Sequence, residues 1–168
     1  MVIHLDDVTY VTRTGRPLVR SMSLDVRSGE LLAIVGPNGA GKSTTLGLAA
    51  GDLRPASGRV LLRGKNLHGM SLALRARLRA VVPQTVSAIP QIPVYEAVLA
   101  GRFARDGRGE RSLDLEAAHA AMVATDTIHL AERRFDTLSG GERQRVQFAR
   151  AYAQLYPFDE PQALLLDE

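Results

Sequence analysis

Gly36-Pro37-Asn38-Gly39-Ala40-Gly41-Lys42-Ser43 follows the apolar run Leu31-Leu32-Ala33-Ile34-Val35 and leads into Thr44-Thr45-Leu46-Gly47-Leu48-Ala49-Ala50. The run is too short for a helix and is bounded by glycines, which predicts a strand buried on both faces. Residues 42–50 have helical character and stop at Gly51, with Pro55 beyond, as a helix C-terminus does. Between strand and helix, the glycines let the backbone curl until successive N–H groups converge, and the positive end of the helix faces the same point. The spacing is Gly-x4-Gly-Lys-Ser/Thr, a pattern that cradles phosphates. Lys42 would reach the terminal phosphates, and the Ser43 hydroxyl would face magnesium, a hard cation that takes oxygen ligands.

Ala163-Leu164-Leu165-Leu166-Asp167-Glu168 reads as a second fully apolar strand, closed by two acids. An aspartate at the carboxyl end of a strand beside the phosphate loop can hold magnesium, and the next residue can face the terminal phosphate. Asp167 is therefore the metal candidate, and Glu168 the general base that polarises an attacking water. Asp159-Glu160-Pro161 carries a similar acidic pair, but Pro157 lies in the stretch before it. A central strand excludes proline, so 156–162 reads as a loop.

Residues 2–10 and 18–26 alternate apolar and polar around Thr14-Gly15-Arg16-Pro17, which predicts an antiparallel hairpin. Residues 59–62 read as a short strand. Residues 72–80 read as a helix that runs into Val81-Val82-Pro83-Gln84, a short extended piece. A loop over 85–93 and helices over 94–99 and 113–125 follow, with 106–110 as an exposed polar loop between the two helices. Residues 139–155 form the strongest helix candidate. Arg75, Arg77 and Arg79 read as a solvated helix face. His4 is placed on an edge strand, His68 and His129 in or near loops and His119 on an amphipathic helix, and none has ligand spacing.

Leu138-Ser139-Gly140-Gly141-Glu142-Arg143-Gln144-Arg145-Val146 opens the last helix. Locally it is a Ser-capped helix with Glu142 completing a capping box, and its first N–H groups make a second anion site. Leu-Ser-Gly-Gly followed by Glu/Gln-x-Gln-Arg resembles the signature of the ATP-binding-cassette family. The resemblance runs over the whole chain with the motifs in order. It implies an α/β fold of the P-loop NTPase type: an antiparallel β subdomain, a RecA-like core, and a helical subdomain over about 85–145 that ends in the signature. All of this would form a single domain, 1–168, incomplete at its C-terminus.

The resemblance also implies roles. Two copies would pack head to tail as a homodimer, each signature (Ser139, Gly140, Gly141) closing on the ATP held by the other's loop (Gly36 to Thr44). Gln84 is similar to the glutamine that senses magnesium and the attacking water while contacting the membrane partner, and Tyr10 to the aromatic that stacks on adenine. Catalysis would then rest on Lys42, Gln84 and Glu168. Magnesium would rest on Ser43, Gln84 and Asp167.

Of the 168 residues 45% are hydrophobic and 23% charged, the composition of one globular domain rather than a disordered segment. The net charge of +3 comes from scattered arginines, and Lys42 and Lys65 are the only lysines, so charge does not indicate a nucleic-acid groove and no nucleic-acid partner is expected. With no Cys, disulfides, thiolate nucleophiles and Cys-based zinc sites are excluded. No apolar run approaches eighteen residues, and the acids of Met1-Val2-Ile3-His4-Leu5-Asp6-Asp7 do not suit a signal peptide. Membrane association is expected through a partner.

Within the family, Val94-Tyr95-Glu96-Ala97-Val98-Leu99-Ala100-Gly101-Arg102 and the segment from Ala149 to Leu155 are most similar to importer subunits for haem, ferric siderophores and cobalamin. The loop with Pro157 and Pro161 is similar to one in bacterial haemin importers. This implies permease subunits, indirectly a periplasmic binding protein, and a peripheral place on the cytoplasmic face of the inner membrane. The family would continue past Glu168 with Pro-Thr and a strand ending in a histidine, so truncation is expected. The alternatives are the ATPase of another cassette system, a DNA- or ribosome-associated cassette, or a fragment that only binds nucleotide or a partner. The interval from Lys42 to Asp167 has no room for the long coiled coils of chromosome-maintenance relatives, and zinc cysteines of the excision-repair type are missing.

Overall fold

The computed structural model describes residues 1–84, 91–104 and 111–167. The alternating N-terminal segments form β1 (Ile3–Val11) and β2 (Pro17–Val26), paired antiparallel with Leu5 opposite Leu24 and Tyr10 opposite Val19. β1 also pairs with β3 (Ser57–Leu62), which pairs with the short β4 (Lys65–Asn66), so the sheet order is β2-β1-β3-β4. His4 therefore sits on a central strand rather than an edge, and its ring meets Asp25 at 2.5 Å across the ladder. The second neighbour comes from more than fifty residues away, which local alternation does not reveal.

The helix after the phosphate loop, α1 (Lys42–Ala50), ends where Gly51 turns left-handed (φ 79°) and donates its N–H to Gly47 O and Leu48 O. Leu48, Ala49 and Ala50 are buried in one core with Leu5, Val8 and Val60 of the sheet and with Ala163 and Leu165. Each Leu or Val buried there stabilises the fold by about 1.5–3 kcal/mol. α2 (Leu72–Leu78), capped by the Ser71 hydroxyl, feeds β5 (Arg79–Val82). β5 runs parallel to β6 (Ala163–Leu166), with Val82 level with Leu166.

A helical layer follows: α3 (Val94–Leu99), a 3-10 segment (Ala100–Ala104), α4 (Arg111–Ala124) and α5 (Gly140–Leu155). Its core joins Val94, Val98, Met122, Leu130 and Phe135 to Val146, Ala149 and Ala153 of α5. Ala151 and Leu155, on another face of α5, pack with Ala80 and Val82 of β5. Apolar positions at helical spacing on two faces make α5 the beam between the helical layer and the parallel pair.

Two further expectations are corrected. Residues 31–35 form no strand among the described residues, and they are not buried: Leu31 is 94% and Val35 87% exposed. A strand buried on both faces needs neighbours on its edges and layers over its faces. Among the described residues the parallel sheet has only β5 and β6, and Leu164 and Leu166 are themselves exposed, so the run lacks those neighbours there. The arginines of 75–79 are also not one solvated face. Arg75 donates to Met70 O and Gly51 O, and Arg79 lies in β5 with its side chain 13% exposed, pairing with Asp52 at 3.5 Å. Burial lowers the Arg79 pKa, and Asp52 opposes that shift. Arg77 remains exposed.

Residues 156–162 carry no strand, in keeping with Pro157. The polar loop expected over 106–110, and most of that over 85–93, lie outside the described residues.

Candidate functional site

The phosphate loop is shaped by left-handed glycines, Gly39 at φ 81° and Gly41 at φ 91°. Gly41 is fixed twice over, because a Cβ there would also lie 2.8 Å from the Leu18 carbonyl oxygen of β2. Behind it stands Val19, whose cross-strand partner is Tyr10. The register of β1 against β2 thus sets the half-buried Tyr10 opposite Val19, one strand further from the loop. Leu18 and Val19 were not foreseen from the sequence, because a contact across more than twenty residues leaves no local pattern.

Gly41 is the N-cap of α1 but offers no side-chain cap, and the first turn holds no acid. The first N–H groups of α1 therefore have no side-chain acceptor at the helix end, where the backbone dipole favours an anion. Lys42 curls back over the loop, its Nζ donating to Gly36 O and Pro37 O at 2.9 Å each. This holds one positive charge over the cradle. Thr44 is half-buried in the first turn, and Thr45 turns inward to Met22.

The Ser43 hydroxyl donates to Asp167 Oδ1 at 2.9 Å. Asp167 is held at the end of β6 by its own N–H, which donates to Val82 O at 3.1 Å. Gln84 lies exposed two residues beyond Val82, at the same carboxyl end of the pair. Ser43 and Asp167 therefore meet at the end of the sheet where open α/β folds hold ligands, and Gln84 follows the strand at that same end. Glu168 lies outside the described residues.

Ser139, Gly140 and Gly141 stand apart, and no hydrogen bond links them to the phosphate loop among the described residues. Ser139 caps α5, accepting from the Glu142 N–H at 3.4 Å, while Glu142 Oε2 accepts from the Ser139 N–H at 2.7 Å. The Ser139 amide, aided by Arg133 at 2.9 Å, holds the Glu142 carboxyl below the ordinary range. Gly140 and Gly141 are exposed, and a Cβ at either would meet nothing within 4 Å. Among the described residues nothing requires glycine there.

Among the described residues no His, Cys, Asp and Glu side chains gather in groups of three or more, and no helix is long and apolar enough to cross a membrane.

The arrangement matches known proteins over most of its length. The Hemin import ATP-binding protein HmuV of Gloeobacter violaceus is 48% identical over 162 residues, covering 94% of this chain and 58% of that protein. The protein of the same name from Myxococcus xanthus is 50% identical over 152 residues, covering 88% of this chain and 56% of its own length. The solved structure of cbiO1 from Clostridium perfringens, part of the ABC transporter complex cbiONQ, superposes with a TM-score of 0.84 at 26% identity. That match covers 99% of this chain and 65% of the other. The chain thus spans less than two thirds of the length of these relatives. The ABC transporter family model matches residues 19–168, from β2 through the phosphate loop and the capped glycines of α5 to the acids that end β6, and the chain belongs to that family.

Proposed function

We propose that this chain is the nucleotide-binding portion of an ATP-hydrolysing subunit that drives import of haemin. The observation that carries the reading is the hydrogen bond from Ser43 to Asp167, which sets the phosphate-loop hydroxyl against a strand-end carboxylate. The haemin assignment draws on the names of the relatives.

The roles follow from the chemistry of each group. The uncapped N–H groups of α1 and the Lys42 ammonium would hold the β- and γ-phosphates. Tyr10 would offer its ring to the base. Ser43 and Asp167 put two hard oxygens on one spot, a set that suits magnesium, which usually takes one or two protein oxygens and completes its shell with phosphate and water. When bound, magnesium screens the negative charge of the terminal phosphates. Gln84 would orient the attacking water, and Glu168 would accept its proton.

The exposed glycines at 140 and 141 support contact with a second copy. With open space around them among the described residues, they leave room at the capped N-terminus of α5 for a phosphate held by the partner's loop to approach its first N–H groups. Exposed Leu72 on α2 and Phe103 after α3, 76% and 78% accessible, support docking of a permease on the elements flanking Gln84. A peripheral position at the cytoplasmic face of the inner membrane and a periplasmic binding protein complete the reading.

The test is uptake of labelled haemin, with ATP hydrolysis, by cells or vesicles holding the complete transporter, with and without Lys42→Ala. Haemin uptake that persists in the variant would refute the energising role. ATP-driven uptake of another chelate, with none of haemin, would refute the substrate.

A further inference from the structure

The far end of α5 is held by an arginine, from another element, that the proposed function does not use. Arg102 leaves the 3-10 segment after α3 with its side chain only 4% exposed. Its Nε donates to Asp114 Oδ1 of α4 at 2.7 Å, and one terminal nitrogen donates to Ala153 O at 3.0 Å and also to Tyr156 O. Those carbonyls belong to the closing turn of α5, which contains no basic residue of its own. A cation there satisfies orphan carbonyls and opposes the negative end of the helix dipole. Gly101 makes the approach possible, since a Cβ at that position would overlap the Arg150 carbonyl.

The clamp joins two functional ends. α5 has 16 residues, and its opposite end is the Ser139 cap with the exposed glycines. Tyr156, also bound through its hydroxyl to Glu116 of α4, starts the loop that returns to β6 and Asp167. One buried guanidinium therefore ties α4 to the helix that presents Ser139 and to the segment that presents Asp167.

We infer that Arg102, with Asp114, is a positioning residue that sets the angle of α5 so that its glycine end meets the nucleotide held by a second copy. The inference rests on the head-to-tail reading above. The bonds of Arg102 run to α4 and the end of α5 and not to the phosphate loop among the described residues, so its loss should spare binding by a single copy and weaken association. Lysine keeps the charge but lacks the planar fork that serves a carboxylate and two carbonyls together. The double change Arg102→Met with Asp114→Leu removes both charges and leaves neither buried alone.

The experiment compares the wild-type chain, Arg102→Lys and the double variant in three measurements. These are thermal unfolding, titration with a fluorescent ATP analogue and magnesium, and sedimentation with and without ATP and magnesium. The expected result is analogue affinity within about twofold of wild type in both variants, with ATP-driven association weakened about tenfold or more. A double variant that unfolds like wild type and associates as well as wild type overturns the inference. So does a loss of nucleotide affinity in step with association, which marks general damage. Failure of the head-to-tail reading shows differently: the wild-type chain itself binds the analogue without associating, and both ideas then fall.

Discussion

Ser43 and Asp167 are joined by a 2.9 Å hydrogen bond although 124 positions separate them in the chain. The hydroxyl is the donor and the carboxylate the acceptor, so both oxygens keep lone pairs free for a cation. This one contact ties the first strand-end acid of the C-terminal segment to the loop that defines the N-terminal core.

Asp167→Asn should keep the side chain's shape and remove its charge. The part of ATP affinity that depends on magnesium should fall about tenfold, while binding in excess chelator should be unchanged. Paired titrations of a fluorescent analogue with magnesium and with chelator measure both. Equal affinity of wild type and variant in magnesium would discard Asp167 as a ligand.

Lys42→Ala deletes the ammonium poised over Gly36 and Pro37. If Lys42 binds phosphate as proposed, its charge-assisted hydrogen bonds to that group are lost, and affinity for ATP should drop on the order of 100-fold. Isothermal titration checks it, and adenosine, which has no phosphates, should bind both proteins alike.

Gly141→Ala separates stability from assembly. A Cβ there meets nothing within 4 Å, and alanine is the better helix former, so the fold should gain up to about 1 kcal/mol in urea unfolding. ATP-driven association should nonetheless fall, because on the proposed head-to-tail reading the methyl group would stand where a phosphate approaches. Association at wild-type strength would place the contact elsewhere.

Gly41→Ala does the opposite. Its φ of 91° is strained for alanine, and the new Cβ would press on the Leu18 carbonyl, so the fold should lose about 1–3 kcal/mol. Urea unfolding measures the loss, and an unchanged midpoint would mean that the loop can relax away from β2.

The cap of α5 should respond to acid. The folded Glu142 carboxyl titrates below its unfolded value, chiefly because the Ser139 N–H bonds its charged form. Its contribution is complete above the ordinary carboxylate pKa and is lost as pH falls through the depressed folded value. Glu142→Gln keeps an acceptor for the Ser139 N–H but cannot titrate. The difference in melting temperature between wild type and this variant should therefore shrink as pH drops below the usual carboxylate range. A difference that stays constant with pH would exclude Glu142 as the titrating group.

Features that depend on neighbours along the chain were legible before any coordinates. α1 begins at Lys42 and ends at Ala50 because Gly41 and Gly51 both take left-handed backbone, and α5 opens at Ser139 because Ser and Glu three apart close a capping box. The alternation of β1 and β2 follows from one buried face. Features that depend on distant partners were not. His4 lies on a central strand because β3 arrives beside β1, the half-buried Arg79 pairs with Asp52, and the buried Arg102 pairs with Asp114.

The sequence alone determined the phosphate loop, the capped helix with its two spare glycines, and the acid that ends β6. Each is a short pattern whose physics, backbone dihedrals and hydrogen bonds within one turn, is complete inside a few residues. Only the tertiary structure decided that Ser43 meets Asp167, that Arg102 closes the far end of α5, and that residues 31–35 stand exposed rather than buried in a sheet. An apolar run becomes a strand when other strands take its N–H and C=O groups, and a buried charge persists when a counter-charge reaches it. Both conditions are set by partners that folding brings together from far along the chain.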